Sequence, residues 1–421
     1  MPQEKLSELA ETLIGSEIVK LGNVIRQRIV AGETIYNFTV GDFNPSVFPI
    51  PKELENDIIE SYQQHNTSYP LAEGEMDLRK SIGTFLKQRE GLDYAPDEIQ
   101  VASGGRPLIY TIFRTIVDKG DKVIYATPSW NNNHYVHMTE GVHCMIDAFP
   151  ENHFMPLASD IEPHIAGATL LCLCTPQNPT GTTLQRDELI KICNLILAEN
   201  AKRAEGEKKL YLLFDQMYWT LTFGQTVHYN PVSLVPAMKD YTVFVDGISK
   251  AFASTGVRIG WSMGPAYVIN KMKAILSHLG AWAPMAEQKA VAKYLLKTEA
   301  IDSYLTNFKK ALEYRLDNIY NGLIALKNKG FAVDAVAPQG GIYLTVLFDL
   351  VGKKTATGTT LETQEGVTDY LLSEAKLAIV PFYCFGSPNN SPWYRLSVGA
   401  CKEEDIKPML EKLEEALEKL S

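Results

Sequence analysis

Seven short segments of the chain are rich in apolar and β-branched residues, and several are apolar at successive rather than alternating positions. They span residues 98–103, 122–127, 143–149, 169–175, 209–215, 241–246 and 258–263. Continuous apolar runs are typical of strands buried on both faces, as in parallel sheets covered by helices. Segment 106–117, between the first two runs, has helical spacing. The pattern predicts an α/β fold: a mostly parallel seven-stranded sheet between helices.

The C-terminal part of the chain has a different pattern. Residues 301–330 predict one long helix ending at Gly330, and short strands follow around 331–336, 341–349 and 394–399. Residues 403–420 carry apolar side chains on one helical face, which either docks on its own domain or binds a partner. We therefore expect a smaller α+β domain at 311–421, packed with the N-terminal segment 1–40, beside a large domain at 41–310.

Composition and charge narrow the class of protein. The chain has 421 residues and a formal net charge of −10, so two domains are expected and a nucleic-acid partner is not. The cysteines are scattered without a CxxC pair, which favours reduced core cysteines and suggests no metal site. The N-terminus does not resemble a secretory signal, and no segment is long and apolar enough to span a membrane. A cytoplasmic protein is expected.

Polar residues follow several of the predicted strands, where ligands of open α/β sheets bind. Ser103, Gly104 and Gly105 stand between a strand and a helix, where backbone N–H groups can approach an anion, although a plain tight turn would use the same residues. Trp130 follows the next strand and offers either a flat face to a planar ring or simple core packing. The sequence leaves both alternatives open.

Two further strand ends carry groups suited to a ring cofactor. Asn178 lies in the rigid loop NPTG at 178–181, either as a turn former or as an amide donor. Asp215 ends an apolar run, with Tyr218 three residues later. An acid there either caps a helix or holds a ring nitrogen protonated, because an ion pair favours both charged forms.

Lys250 follows another apolar strand, among Gly, Ser, Ala and Phe, where a flexible surface charge is unexpected. Desolvation and a nearby cation lower the pKa of a lysine and free its amine to attack a carbonyl. Arg258 could clamp a phosphate, and Arg395 could bind a carboxylate with two parallel hydrogen bonds or form a structural ion pair.

Over nearly its whole length the chain resembles the class I/II aminotransferases of fold type I, the aspartate aminotransferase superfamily. The resemblance is carried by NPTG at 178–181, by DxxY at 215–218, and by SK at 249–250 followed by Arg258. It implies an enzyme that uses pyridoxal 5'-phosphate to move an amino group between an amino acid and a 2-oxo acid.

The resemblance assigns roles residue by residue. Lys250 resembles the lysine that forms the internal aldimine with the cofactor and then moves the proton between Cα and C4′. Asp215 is similar to the carboxylate that pairs with the pyridinium nitrogen and keeps the ring an electron sink. Tyr218 and Asn178 match the donors to the phenolic oxygen of the ring, and Trp130 matches the aromatic side chain stacked on it.

The resemblance also implies an anion site and a substrate site. The positions that match the family's phosphate cup are Ser103, Gly104, Gly105, Ser249 and Arg258. Arg395 resembles the arginine that clamps the α-carboxylate of the substrate, with Asn178 and the mobile Gly41 beside it. Tyr69 is similar to a tyrosine that reaches the cofactor phosphate of a neighbouring subunit, so a homodimer with a shared active site is implied.

Three features depart from the family's pattern. Gly247 stands where many members have Ser or Thr, which removes one phosphate hydroxyl. Arg106 occupies a position that is usually small or neutral, and we hypothesise that it reaches the phosphate. Phe382 and Tyr383 replace part of a P-G-x-x-F-G motif and would favour an apolar or aromatic substrate if they line the pocket.

Two other functions compete with transamination. The same lysine and cofactor serve lyases of the C–S β-lyase or aminocyclopropane-carboxylate synthase type, and these motifs do not separate the two reactions. A cofactor-dependent DNA-binding regulator would need a further domain, and the residues before Gly41 are too few for one. Which amino acid is the substrate stays open, with Asn132 and His134 as candidate pocket residues.

Overall fold

The structure is a computed structural model that describes residues 5–13, 15 and 17–421. The β-strands are β1 (Tyr36–Asn37), β2 (Ile99–Ala102), β3 (Lys122–Thr127), β4 (Val142–Asp147), β5 (Ala168–Cys174), β6 (Tyr211–Asp215), β7 (Thr242–Gly247), β8 (Gly260–Met263), β9 (Val333–Ala335), β10 (Tyr343–Phe348), β11 (Leu377–Ala378), β12 (Val380–Pro381) and β13 (Trp393–Ser397).

The α-helices of the described residues alternate with these strands through the middle of the chain. They are α1 (Glu8–Thr12), α2 (Glu17–Val30), α3 (Lys52–Gln63), α4 (Met76–Glu90), α5 (Gly105–Ile116), α6 (Asn132–Met138), α7 (Ala158–Ile161), α8 (Arg186–Lys202), α9 (Pro231–Leu234), α10 (Ile248–Ala251), α11 (Ala266–Leu279), α12 (Met285–Tyr294), α13 (Thr298–Asn328), α14 (Gln364–Glu374) and α15 (Glu403–Glu418). None of them is both long enough and apolar enough to cross a lipid bilayer.

The central sheet confirms the predicted fold. It has seven strands in the order β2-β8-β7-β6-β5-β3-β4, and each of the seven apolar segments supplies one of them. All neighbouring pairs are parallel except those of β8, which runs antiparallel to both β2 and β7. The carboxyl ends of β5, β6 and β7 therefore meet at one edge of the sheet.

Successive residues of the central strands are buried on opposite faces, which explains their continuous apolar runs. Leu171, Leu173 and Phe214 belong to one core with helices α4, α8 and α12. Leu170 and Leu213 belong to a second core with α5 and α11. Burial on both faces is what a parallel sheet covered by helices requires.

A third core lies under the antiparallel sheet β12-β13-β10-β9. The apolar face of α15, with Ile406, Met409 and Leu413, is buried in this core, so the C-terminal helix docks on its own chain. Residues near the N-terminus join the same region, because β1 pairs with β11 in parallel.

Helix α13 passes from one core to another. Ile301 and Leu305 pack in the core of the large sheet, whereas Phe308 and Leu312 pack in the core of the small one. The division into segments 1–40, 41–310 and 311–421 stays a prediction.

Candidate active site

A cavity of about 370 Å³ opens at the carboxyl ends of the parallel strands and reaches the small sheet. Such an edge is where α/β sheets bind ligands. Most of the candidate residues line it: Gly41, Gly105, Trp130, Asn178, Asp215, Tyr218, Ser249, Lys250, Arg258 and Arg395. Ser103 and Gly104 are next to the guanidinium of the lining residue Arg258, and Tyr69 is not part of the lining.

Lys250 points into the cavity from the short helix α10. Its Nζ donates a hydrogen bond to the Gly41 carbonyl oxygen at 2.6 Å. Burial and, to a smaller extent, the positive charges of Arg395, Arg258 and Arg106 lower the pKa of the Lys250 amine, the charge of Asp42 opposes them, and the resulting pKa is about 8. A substantial fraction of this amine is therefore neutral at mildly alkaline pH and able to attack a carbonyl.

Asp215 ends β6 on the floor of the cavity. Its Oδ1 accepts a hydrogen bond from the Met217 backbone N–H at 3.0 Å. Burial raises the pKa of the Asp215 carboxyl to about 6, and that single backbone contact only partly offsets the effect. No cationic side chain of the described residues forms an ion pair with this carboxylate. A protonated ring nitrogen bound here would supply the missing positive charge, so the acid fits a pyridinium ring.

Two hydrogen-bonded pairs form a polar wall of the cavity: Tyr218 with Tyr343, and Arg395 with Asn178. The Tyr218 and Tyr343 hydroxyls lie 2.7 Å apart, and Arg395 Nη1 donates to Asn178 Oδ1 at 3.0 Å. Arg395 Nη2 donates to the Thr39 carbonyl oxygen at 2.7 Å, while its buried Nε has no partner among the described residues. A buried guanidinium with an unused donor is suited to a carboxylate ligand.

The turn before α5 forms a cradle for an anion. Gly104 has a φ of 90°, and a Cβ placed there would lie 2.8 Å from Arg258 Cζ, so a side chain is excluded. Arg258 donates to the Ser103 carbonyl oxygen at 2.7 Å and to the Thr255 carbonyl oxygen at 2.8 Å. A guanidinium, a helix N-terminus and the nearby Ser249 together fit a phosphate group.

Gly247, a departure from the family's pattern, has a steric explanation. A Cβ at this position would lie 2.8 Å from the Ile259 carbonyl oxygen and 2.9 Å from Gly260 Cα. A Cβ on Gly260 would in turn lie 2.7 Å from the Gly104 carbonyl carbon. The three glycines let β7, β8 and the turn before α5 pack backbone to backbone, which leaves no room for a hydroxyl at position 247.

Arg106 lines the cavity and covers the ring of Trp130, with its Cζ 4.7 Å from the ring centroid. Among the described residues it has no hydrogen bond or ion pair of its own. The hypothesis that Arg106 reaches the phosphate is not tested by this geometry, because the same guanidinium also faces the rest of the cavity.

The expectation that Phe382 and Tyr383 line the pocket is wrong. Phe382 is fully buried and packs against Phe154, with ring centroids 5.3 Å apart, and neither aromatic residue borders the cavity. Asn132 does line it, whereas His134 does not.

Several lining residues are not identified by the sequence analysis. Asp42 and Thr255 lie at the rim and hydrogen-bond to each other, and Ile18 and Val19 of α2 form an apolar part of the wall. Tyr343 comes from β10 of the small sheet. The GGIY run at 340–343 is the one local signal that could have indicated a close approach of backbone to the site, as glycines permit.

Tyr69 lies outside this chain's cavity. Its side chain is 87% exposed and makes an edge contact with Trp282, with ring centroids 5.7 Å apart. Within the described residues, no group of three or more His, Cys, Asp or Glu side chains could hold a metal ion.

Comparisons with known proteins agree with this geometry. The family model "Aminotransferase class I and II" matches residues 33–413. An aspartate aminotransferase of Geobacillus stearothermophilus is 29% identical over 92% of this chain and 93% of its own length. An aspartate aminotransferase of Rhizobium meliloti strain 1021 is 28% identical over 96% of this chain and 94% of its own length.

The fold of the whole chain is similar to those of solved aspartate aminotransferases. The crystal structure of an aspartate aminotransferase from Rhizobium meliloti superposes with a TM-score of 0.90 at 26% identity, covering 100% of both chains. Thermus thermophilus aspartate aminotransferase with maleate gives 0.86 at 25% identity, covering 99% of this chain and 100% of that one. These relatives do not favour the lyase alternative. The chain therefore belongs to the class I and II aminotransferases and is a pyridoxal-phosphate-dependent transaminase.

Proposed function

We propose that Lys250 is the residue that bonds the cofactor and moves the proton of the substrate. The observation that carries this assignment is a buried amine with a lowered pKa in the same cavity as Asp215, Arg258 and Arg395. When bound, pyridoxal phosphate supplies an aldehyde for attachment of amines and a ring that withdraws electrons. The neutral Lys250 amine would hold the cofactor through that aldehyde, and Lys250 Nζ would take the proton from the substrate Cα.

The surrounding residues hold and tune the ring. Asp215 binds the ring nitrogen as a charged partner, and Trp130 covers a face of the ring. Tyr218 and Asn178 donate to the phenolic oxygen. Because Asp215 lacks a cationic partner among the described residues, pairing with the ring nitrogen stabilises both charges.

The phosphate is bound at the N-terminus of α5. Gly104 and Gly105 bring backbone N–H groups close to it, Ser103 shapes the turn, and Ser249 adds a hydroxyl. Arg258 neutralises its charge. The rigid backbone packing around Gly247 supports this cradle, because it fixes the distance between α5 and the loop that carries Lys250.

The substrate is bound by arginines. Arg395 clamps the α-carboxylate, with Asn178 and Gly41 beside it. We assign Arg106 to a second carboxylate on the substrate side chain, so the preferred substrates are acidic amino acids and their 2-oxo acids. This assignment is supported by the unpaired guanidinium of Arg106 in the cavity, by relatives named aspartate aminotransferase, and by the maleate of the Thermus structure.

The working assembly is a cytoplasmic homodimer in which the two subunits share their active sites. We assign Tyr69 to the cofactor phosphate of the partner subunit, an assignment supported by its 87% exposure outside its own cavity. Residues 41–310 form the cofactor-binding domain, and residues 311–421 with segment 1–40 form the smaller one.

Replacement of Lys250 tests the central assignment. Lys250→Ala removes the amine, so the purified protein should lose the visible absorption band of covalently attached pyridoxal phosphate. Turnover should fall by roughly three orders of magnitude or more, as is typical when a covalent catalytic group is deleted. Lys353→Ala, at an exposed lysine outside the cavity, is the matched control and should keep both properties. A Lys250→Ala protein that retains the band would show that another lysine bonds the cofactor.

A further inference from the structure

Asp42 joins two segments that meet over the active-site lysine. Its carboxylate accepts a hydrogen bond from the Thr255 hydroxyl, and its Oδ1 also accepts from the Phe43 backbone N–H at 2.7 Å. Thr255 lies five residues after Lys250, in the loop that ends at Arg258. The contact thus ties the rim of the cavity to the loop that presents the lysine.

The neighbouring Gly41 makes the direct contact with the lysine. Its carbonyl oxygen accepts the hydrogen bond from Lys250 Nζ, and a Cβ at this glycine would lie 2.7 Å from the Tyr343 hydroxyl. On the other side of the segment, the Asn44 backbone N–H donates to the Gly399 carbonyl oxygen at 3.0 Å. The segment is therefore held at Asp42 by Thr255 and at Asn44 by Gly399, which follows strand β13 of the small sheet.

Asp42 is the carboxylate that offsets the positive charges around the Lys250 amine. The guanidinium groups of Arg106, Arg258 and Arg395 lower the pKa of Lys250 and so favour the neutral amine, whereas the charge of Asp42 raises it. The other titratable groups that face the cavity are Cys172, Cys174, Asp215, Tyr218 and Tyr343. Burial raises the pKa of each of them, so the cysteines and tyrosines stay uncharged near neutral pH.

Transamination includes a stage at which the lysine amine is not bonded to the cofactor, because the substrate nitrogen takes its place. At that stage the amine needs a fixed position and a defined protonation state. We propose that Asp42, anchored by Thr255, is a positioning residue that holds the Gly41 carbonyl and a negative charge against the released Lys250 amine. The proposal rests on the assigned role of Lys250 and adds a residue that the family resemblance does not supply.

The pH at which the Lys250 amine loses its proton depends on the charge of Asp42. A negative charge near an amine favours the ammonium form, so removing the charge of Asp42 should lower the pKa of the free Lys250 amine. Only the neutral amine bonds the cofactor aldehyde, and association of pyridoxal phosphate therefore weakens as pH falls below that pKa. In Asp42→Asn the weakening should begin at a pH lower by roughly half a unit or more, within the range typical of nearby charges.

The experiment uses the full chain stripped of cofactor and then titrated with pyridoxal phosphate at a series of pH values. The visible band of the covalent adduct reports association, and circular dichroism confirms that each variant is folded. Thr255→Val keeps the charge but frees it from its anchor, so it should shift the pH profile in the same direction by a smaller amount. Asp97→Asn removes an exposed carboxylate outside the cavity and should leave the profile unchanged.

Each outcome decides the proposal. A folded Asp42→Asn protein with the wild-type pH profile would overturn it, and so would equal shifts in the Asp42→Asn and Asp97→Asn proteins. A shift in Asp42→Asn without any in Thr255→Val would reject the anchoring role. Failure of the assigned role of Lys250 is a separate result, because it would appear as a covalent band in Lys250→Ala whatever Asp42 does.

Discussion

At the scale of single residues, Arg106 is the group that most directly links the cavity to substrate choice. Its guanidinium covers the ring of Trp130 and has no hydrogen-bonding or ionic partner among the described residues. We expect Arg106→Gln to raise KM for aspartate or glutamate by about 10-fold or more, as loss of a charge-assisted contact does, with little change for amino acids that have apolar side chains. Steady-state kinetics with a panel of amino acids measures this difference.

The control for Arg106 lies on the same helix. Arg114→Gln removes an equal charge from the exposed side of α5 and should leave KM unchanged. Equal losses for acidic and apolar substrates in Arg106→Gln would instead point to the cofactor phosphate as its partner. The visible band at limiting pyridoxal phosphate would then weaken as well.

Most of the residues that we propose hold the cofactor are predictable from the sequence because they follow apolar strands. Asp215 and Lys250 are polar groups at the ends of β6 and β7, so a parallel sheet necessarily brings them to one edge. Asp42 and Tyr343 are not predictable in this way. Asp42 lies in a loop far from Lys250 in the sequence, and Tyr343 sits in an apolar strand where a tyrosine suggests core packing.

At the scale of elements, the close approach of β7 and β8 positions the lysine loop. Gly247 has an extended backbone conformation that any residue can adopt. A glycine is therefore required only because a side chain would not fit. Gly247→Ala places a methyl group against the backbone of β8 and should reduce the free energy of unfolding by about 1–3 kcal/mol, as overpacking typically does. Urea denaturation measures the loss, and turnover should fall with it because Lys250 follows three residues later.

A nearby glycine tests whether the effect is steric. A Cβ on Gly256 would meet nothing within 4 Å, so Gly256→Ala should change the free energy of unfolding by less than about 0.5 kcal/mol, as surface substitutions do. If Gly247→Ala changed the free energy of unfolding as little as Gly256→Ala, the backbone of β8 would have to shift away from the added methyl group without loss of stability, and the steric explanation would be wrong.

The strands themselves are predictable, whereas their order is not. All seven apolar runs form strands of the central sheet, and six of them are buried on both faces, whereas the edge strand β4 is largely exposed. The antiparallel direction of β8 has no local signal, since its residues are fully buried like those of β7, which runs the other way. It depends on the short loop after Lys250, which returns the chain along β7 and brings Arg258 back beside the turn at Ser103.

At the scale of the whole molecule, the proposed dimer makes the two subunits depend on each other. If Tyr69 serves the partner's cofactor, a hybrid of a Lys250→Ala subunit and a Tyr69→Ala subunit contains one active site with both native residues and one with neither. The Lys250→Ala subunit then supplies the Tyr69 that the site of the other subunit lacks. If Tyr69 acts only within its own chain, the same hybrid contains no native site.

Co-expression of the two variants with different affinity tags isolates this hybrid. With one native site of two, it should show about half of the wild-type turnover per dimer, because the two sites of a twofold assembly are equivalent. The Tyr69→Ala homodimer sets the baseline, and its weakened association with pyridoxal phosphate identifies the missing contact. A hybrid no more active than the mean of the two parent homodimers would place Tyr69 outside the partner's site. Recovery of activity from two impaired chains can come only from a shared active site.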